Sequence, residues 1–229
     1  QIKQEKLHLL KEGKLKKSAL VDSVIYKGDD NKYYEQVGKS DKEITEEIAF
    51  DLPNGWSWCR LKDICSIFTG ATFKKEETVT TKEGVRILRG GNISPFELRI
   101  KDDDIFLTKD KVKEDIILKE NDILTPAVTS LENIGKMVRV NSDMPNTTVG
   151  GFVFIIRLYL KNQWLSKYIL YLLSSPFMID FMKSITNKSG QAFYNIGKER
   201  LSTALLPIPS LAEQHRIVAQ IEKLFEQLR

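Results

Sequence analysis

The spacing of apolar residues divides the chain into strand-like and helical stretches. Two runs with apolar side chains three and four positions apart predict a pair of helices, one over Trp164 to Leu173 and one starting at Pro176. Short runs rich in β-branched and aromatic residues predict strands. The predicted strands are Val85–Leu88, Asp104–Leu107, Asp122–Val128, Lys136–Val140, Phe152–Leu158 and Leu201–Ile208. This pattern indicates an α+β fold with mixed or antiparallel strands and packed helices.

The same pattern predicts the division of the chain into segments. Residues 1–17 resemble the end of a helix, which Gly13 would terminate. Residues 18–50 are rich in charge and turn formers, which predicts an irregular linker. Residues 51–209 form the compact domain, which opens at LPNGWSWCRLKDI, and residues 210–229 start another helix.

The last segment has the clearest local signal. Ser210 and Glu213 make an S-x-x-E capping box, which typically starts a helix. An apolar stripe follows at alternating spacings of three and four, consisting of Leu211, Val218, Ile221, Phe225 and Leu228. The stripe predicts a coiled coil. Ile2, Leu9 and Leu10 offer a partial complement, so the two ends of one chain would pair antiparallel, or two chains would exchange helices as a homodimer. The competing interpretation is that the stripe belongs to the core of its own domain.

Composition narrows the function without deciding it. The formal charge of +4 permits nucleic-acid binding but does not require it. No apolar run approaches the roughly 20 residues that cross a membrane, so no membrane partner is expected. Cys59 and Cys65 lack the spacing of a zinc site, which predicts reduced thiols, no metal and a cytoplasmic location. The chain begins at Gln1 without a Met, which suggests a fragment or a processed chain.

Motifs for catalysis are missing. An adenine methyltransferase carries an aromatic [N/D]-P-P-[F/Y] loop for the extruded base, and the sequence has no such string. The glycines near Lys198 lack the spacing of a phosphate-binding loop. The acidic run Asp102–Asp104 predicts a solvated turn rather than a metal site. We therefore expect a protein that is not an enzyme and that needs no cofactor.

Several polar segments carry residue types that bind DNA. Arginine reads guanine and asparagine reads adenine through paired hydrogen bonds, while lysines and hydroxyls bind phosphates. The candidate DNA-binding residues are Lys74, Lys75, Arg89, Asn92, Thr129, Ser130, Asn133, Lys136, Ser189, Gln191, Tyr194, Asn195 and Lys198. Each has a structural alternative: a solvated loop at Lys74, a tight turn at Gly90–Asn92, and connecting loops at the other positions.

Two stretches of the chain resemble the specificity subunits of Type I restriction-modification systems. The first is LPNGWSWCRLKDI at Leu52–Ile64, and the second is SGQAFYNIGKERLSTALLPIPSLAEQHRIVAQIEKL at Ser189–Leu224. LRGGNIS and LTPAVTSLENIGKM, which lie between them, also resemble the family. The resemblance frames most of the chain, and IPSLAEQHRIVAQIEKL is its most specific part.

This resemblance implies a target recognition domain that reads one half of a bipartite site in double-stranded DNA. In such a subunit, two domains alternate with conserved helical regions, which pair antiparallel and set the distance between the half-sites. Modification subunits dock on this scaffold and methylate adenine with S-adenosylmethionine. Restriction subunits join the assembly and add ATP-driven translocation and cleavage, so their link to this chain would be indirect.

The chain contains one such domain, which leaves alternatives open. It is either a recognition domain cut from a longer subunit or a natural half-length subunit that dimerises through its helices. An alternative function is the DNA-reading C-terminal part of a fused restriction-methylation enzyme. Another is an interaction scaffold that no longer binds DNA.

Overall fold

The computed structural model describes residues 1–79, 83–189 and 193–228. Its first helix, α1, spans Ile2–Lys11 and ends as the sequence predicts. Gly13 adopts a φ of +71°, and its amide donates to the carbonyl of Leu10 at 3.0 Å. Left-handed backbone of this kind is the usual end of a helix, and glycine adopts it without a steric penalty.

The prediction of an irregular linker over residues 18–50 is wrong. This segment contains a three-stranded antiparallel sheet in the order β1–β2–β3, with β1 at Ser23–Lys27, β2 at Tyr33–Val37 and β3 at Ser40–Glu43. Every residue of β3 is exposed, so the strand lacks the apolar alternation that predicts strands. Backbone hydrogen bonds join its strands, and the rings of Tyr26 and Tyr34 stack across β1 and β2 with their centroids 5.8 Å apart.

This small sheet is tied to the larger domain by a buried ion pair. The guanidinium of Arg60 donates to Glu35 at 2.6 Å, and the two side chains are only 7% and 9% exposed. Arg60 also contacts Glu47 at 2.8 Å and donates to the carbonyl of Thr203 at 2.8 Å. Ser23 adds a hydrogen bond to Asp63 at 2.6 Å. Since a buried charge without its partner is strongly destabilising, the N-terminal sheet and the domain stabilise each other.

The domain itself is built from short strands. In chain order these elements are β4 at Ser57–Arg60, the helical turn α2 at Leu61–Ile64, β5 at Cys65–Thr69, β6 at Thr78–Val79, β7 at Val85–Leu88, β8 at Ile93–Ser94, β9 at Glu97–Leu98, β10 at Ile105–Leu107, β11 at Ile123–Pro126, β12 at Val128–Thr129, β13 at Val138–Arg139, β14 at Thr147–Val149 and β15 at Val153–Leu158. The predicted strands before the helices are confirmed, and the structure has further strands, among them β5, β6, β8, β9 and β14.

The strands form sheets whose apolar faces contribute to three clusters of buried residues, of which one is the main core. One four-stranded sheet has the order β13–β11–β15–β5 and is antiparallel, and another has the order β14–β7–β10–β6, in which β14 and β7 run parallel. Ile123, Phe154 and Ile156 turn from the first sheet into the main core, while Leu124 and Ile155 turn to its other side. Alternation of this kind lets one sheet serve two apolar layers.

The main core is closed by the helices that the sequence predicts. These C-terminal elements are α3 at Gln163–Leu173, α4 at Pro176–Ser184, β16 at Thr186–Ser189, β17 at Phe193–Ile196, α5 at Lys198–Ser202, β18 at Leu205–Ile208 and α6 at Leu211–Gln227. The side chain of Asn162 caps α3, and that of Ser175 caps α4 with Pro176 at its first position. Leu201 lies in α5 rather than in the predicted strand. Among the described residues, no helix is long and apolar enough to cross a membrane.

The polar segment Lys188–Asn195, predicted as a loop, belongs to a β-hairpin. Strands β16 and β17 pair antiparallel, with Asn187 opposite Asn195 and Lys188 opposite Tyr194. The segment contains Gly190, Gln191 and Ala192 between the strands, and these residues lie outside the described ones.

The terminal helix α6 packs against its own domain. Ser210 accepts a hydrogen bond from the amide of Glu213 at 3.3 Å, but the Glu213 carboxylate pairs with Arg216 instead of completing the capping box. Val218 is fully buried in the main core, and Gln214 donates to the carbonyl of Pro209 at 2.9 Å. The competing interpretation of the stripe therefore holds for its central residues, because α3 already covers them.

The other residues of the stripe differ in how far the domain covers them. The ring of Phe225 lies 5.4 Å from Phe96 and 5.8 Å from Tyr171, so it joins an aromatic cluster of the domain. Leu211 and Leu228 are 52% and 83% exposed. Ile221 is half-buried. At the other end of the chain, Ile2 packs on the main core.

Candidate nucleic-acid interface

Two polar segments that are far apart in the sequence meet in one small sheet. Strand β12 pairs with β17 so that Thr129 lies opposite Tyr194 and Val128 opposite Asn195. The amide of Ile196 continues the ladder by donating to the carbonyl of Ala127 at 2.9 Å. Thr129 is largely buried and Tyr194 packs against the main core, whereas Asn195 is exposed. The pairing places several predicted DNA-binding residues at one end of the domain.

The loop after β12 keeps its polar groups at this same end. The side-chain amide of Asn133 donates to the hydroxyl of Ser130 at 2.6 Å, and the amide of Lys136 donates to the carbonyl of Asn133 at 3.2 Å. All three side chains are half-buried. Gly135 has a φ of +88° and leaves no room for a Cβ beside Ile179 of α4, so the loop is fixed against the helix.

Lys74 and Lys75 reach this end through a neighbouring turn. Ala71 forms a bridge with Gly150, and a Cβ on Gly151 would lie 3.0 Å from the hydroxyl of Thr72. Both lysines are exposed, two and three positions beyond Thr72. The next residue after Gly151 is Phe152, whose carbonyl accepts a hydrogen bond from Ala127 at 2.8 Å. The turn at Gly151 and Phe152 therefore has Thr72, which leads to the two lysines, on one side and Ala127, which leads to β12, on the other.

We call this surface the polar edge. It consists of Thr72, Lys74, Lys75, Thr129, Ser130, Asn133, Lys136, Phe152, Asn187, Lys188, Tyr194 and Asn195. Its exposed lysines can pair with phosphates, and its amides and hydroxyls can donate and accept hydrogen bonds at base edges.

The predicted turn at Arg89 to Asn92 lies close to the polar edge but is closed in on itself. Asn92 is 1% exposed and uses its side chain three times: its oxygen accepts from the Arg89 amide at 2.8 Å, and its nitrogen donates to the Arg99 carbonyl at 2.8 Å and to Asp104 at 2.6 Å. Arg89 is half exposed and pairs with Asp103 at 3.3 Å. In this structure Asn92 braces the turn and does not face solvent.

Asp104 is the anchor of that turn, which corrects the prediction of a solvated acidic run. Burial opposes ionisation of its carboxyl, but hydrogen bonds from the Lys101 amide, Asn92 and Arg86 outweigh this effect and lower its pKa. Arg86 lies 2.9 Å away. The carboxylate is thus held charged inside the fold. Among the described residues, no group of acidic, histidine or cysteine side chains is arranged to hold a metal ion.

Lys198 starts α5, three residues beyond Asn195, but it lines a groove that contains none of the polar-edge residues. The groove also includes Leu158, Tyr159 and Lys161. Lys198 contacts Glu199 at 3.6 Å. Of the remaining candidates, Ser189 ends β16, and Gln191 lies outside the described residues.

Phe152 is a member of the polar edge that sequence reasoning missed. Its side chain is 75% exposed, more than any other large aromatic among the described residues. The sequence places it at the start of the run Phe152–Leu158, where an aromatic residue looks like part of a buried strand. Only the turn at Gly150 and Gly151 removes it from the core.

The cysteines offer no reactive thiolate. Burial raises the pKa of Cys59 to about 12 and also raises that of Cys65. The thiol of Cys65 donates to the carbonyl of Leu61 at 3.2 Å. Thiols with raised pKa values stay protonated at neutral pH and are poor nucleophiles.

Comparison with known proteins identifies the family of this chain. A sequence profile of the Type I restriction modification DNA specificity domain matches residues 53–229. The chain belongs to this family. It is 29% identical to the EcoAI specificity subunit of Escherichia coli over 98% of its own length and 34% of that protein. It is 24% identical to the Escherichia coli EcoEI specificity subunit over 98% of the chain and 35% of that protein. The chain thus spans about a third of the length of these relatives.

Solved structures support the fold. A chain from a study of complex assembly and conformational transition of the type I R-M system superposes with a TM-score of 0.58, at 21% identity, over 78% of this chain and 40% of that one. The HsdS subunit from Thermoanaerobacter tengcongensis gives 0.53 at 22% identity, over 78% of this chain and 39% of that one. An α+β recognition fold with several antiparallel sheets and packed helices is common to them. The specificity domain is the DNA-recognising, non-catalytic part of a Type I restriction-modification system.

Proposed function

We propose that this specificity domain binds one half of a bipartite double-stranded DNA site through its polar edge. The observation that carries the proposal is the β12–β17 pairing, which joins Thr129 and Ser130 to Tyr194 and Asn195. Exposed Lys188 lies opposite Tyr194 on β16, and exposed Lys74 and Lys75 follow Thr72, which lies beside Gly151. Cations that fix the backbone beside polar side chains that meet the bases are the usual division of labour in such interfaces.

The binding surface is best tested by selection from a random duplex pool. We expect purified chain to enrich one short motif, and a gel shift with that motif to give tighter binding than scrambled duplex. Failure to enrich any motif, with the chain folded by circular dichroism, would contradict the proposal and favour a scaffold that has lost DNA binding.

We further propose that α6 pairs with a second helix through the side that α3 leaves uncovered. Ile221, Leu224 and Leu228 recur at spacings of three and four, and Leu224 is 49% exposed. Ile217 precedes them on the same side and packs partly on the main core. These spacings form a coiled-coil seam. The partner helix comes from the rest of a longer specificity subunit or from a second copy of the chain. Paired helices of this kind would carry the docking site for modification subunits that use S-adenosylmethionine, with restriction subunits joining indirectly.

This pairing is tested by charge on the uncovered side of α6. Leu224→Asp and Leu228→Asp should leave the thermal midpoint unchanged, because both side chains are exposed, but should lower the mass in light scattering or abolish co-elution with the modification subunits. Gln220→Asp, an exposed change outside the seam, is the matched control. Phe225 is unsuitable because it supports the domain itself. Unchanged mass and co-elution in both leucine variants would remove the uncovered side as an interface.

A further inference from the structure

Phe152 places a large apolar ring in water on a surface that is otherwise polar. With 75% of its side chain exposed, it forgoes most of the favourable free energy that burying a phenylalanine contributes. Most members of the polar edge are lysines, threonines and asparagines, and Leu131, in the loop between Ser130 and Asn133, adds a second exposed apolar side chain at 40%. A docking surface for another protein normally has an apolar centre made of several side chains, whereas the exposed side chains of the polar edge are mostly polar or charged.

The ring stands on a fixed backbone. The amide of Val153 donates to the carbonyl of Gly150 at 3.0 Å, which closes the turn, and the amide of Gly150 donates to Leu88 at 2.8 Å. On the other side, the carbonyl of Phe152 accepts the bond from Ala127. A Cβ on Gly151 would lie 3.0 Å from the hydroxyl of Thr72, so the chain passes close to the glycine backbone at this turn. Presenting an exposed ring from a braced turn costs little ordering entropy on binding.

The ring lies between residues of the two predicted kinds of DNA contact. On one side Thr72 leads to Lys74 and Lys75, which suit phosphates, and on the other Ala127 leads to Thr129 and β17. A ring between phosphate contacts and base-edge contacts is positioned to meet the bases. Apolar side chains contact base faces and thymine methyl groups in other complexes.

We propose that Phe152 is a base-contacting residue, which enters a groove of the duplex and packs its ring against the bases. This inference rests on the proposed function, because it requires the polar edge to be the DNA surface. Phe152 supplies apolar contact area without neutralising a phosphate. Its contribution to affinity is therefore independent of salt.

The variant Phe152→Ala tests this role. We expect it to weaken binding to the selected duplex by about 5- to 150-fold, the range typical of aromatic contacts to bases. The slope of log affinity against log salt should stay that of the wild type, because no counterion is released by an apolar contact. Phe152→Leu should lose less affinity than Phe152→Ala. The thermal midpoint should not fall, since the ring is outside the core.

A matched control and a spectroscopic probe locate the contact. Phe177 of α4 is also exposed, at 39%, and lies beside Phe50 away from the polar edge, so Phe177→Ala should bind DNA like the wild type. 2-Aminopurine placed at successive positions of the selected duplex should change fluorescence at one step with the wild type and not with Phe152→Ala.

The outcomes separate the two proposals. Wild-type affinity in Phe152→Ala, while the wild type binds its motif, would overturn this inference and leave the proposed function standing. Loss of association with modification subunits but not with DNA would show a protein contact and would also overturn it. Absence of any duplex binding by the wild type would overturn both.

Discussion

Two segments of this domain carry the same kinds of side chain and use them in opposite ways. At Arg89 to Asn92, the asparagine is buried and its side-chain amide makes hydrogen bonds with the Arg89 amide, the Arg99 carbonyl and Asp104. On β17, Asn195 is exposed between its strand partners Val128 and Asn187. The first asparagine stabilises the fold, whereas the second offers an unburied amide at the surface.

Residue type alone therefore does not identify a side chain that contacts bases. An asparagine reads adenine only if its oxygen and nitrogen are both free to bond at once. The side-chain oxygen and nitrogen of Asn92 already make hydrogen bonds within the protein, at donor–acceptor distances of 2.6 to 2.8 Å. Substitutions of the two asparagines and of the nearby lysines test this difference.

The largest expected effect is on stability at Asn92. Asn92→Ala removes three hydrogen bonds and leaves the Asp104 carboxylate short of a donor, so we expect the free energy of unfolding to fall by about 2–4 kcal/mol. Urea unfolding measures this change. Asn195→Ala is the control with the same chemistry, and it should stay within about 0.5 kcal/mol of the wild type. Equal losses of unfolding free energy in the two variants would contradict the proposed difference between Asn92 and Asn195.

The next effect is on affinity at Asn195. Asn195→Ala should cost about 1–3 kcal/mol in binding the selected duplex and should relax specificity at one base position. A repeated selection from the random pool with this variant measures both changes. For Asn92→Ala, the affinity per folded molecule should match the wild type. A loss of specificity in Asn92→Ala, with Asn195→Ala unaffected, would reverse the assignment.

The smallest effect concerns the lysines. Lys74→Gln and Lys75→Gln should each lower the salt slope of DNA binding by about one unit while weakening all duplexes alike. Lys198→Gln should leave the slope unchanged, because Lys198 lines a separate groove with Lys161 and contacts Glu199 at 3.6 Å. This departs from an interpretation of the sequence alone, which groups Lys198 with the others. A slope change in Lys198→Gln only would place the DNA at that groove.

Much of the fold could be predicted because apolar periodicity is a local signal. Strand β7 coincides with the predicted Val85–Leu88, and α3 follows the spacing from Trp164 to Leu173. Strand β3 could not be predicted, because its residues are exposed on both faces and carry no alternation. Hairpin β16–β17 resembles a loop because its residues are polar, although their backbones pair.

The candidate site was predictable in its residue types and not in its geometry. Val128 and Asn195 are strand partners across 67 positions of sequence, and no local pattern encodes that pairing. The burial of Asn92 depends on Asp104, twelve positions away. Phe152 escaped prediction because an aromatic residue before a strand normally indicates core, and only its surroundings place it in water.

The ion pair between Glu35 and Arg60 sets a rule for building chimeras from this domain. A crossover at Leu52, where the family profile begins one residue later, would exchange Arg60 while leaving Glu35 behind. Unless the incoming segment restores the partner, a guanidinium buried to this extent is left unpaired, at a cost of about 3–5 kcal/mol. A hybrid joined before Ser23 keeps both charges in one parental block. The transferable unit of this protein is therefore longer than the stretch that defines its family.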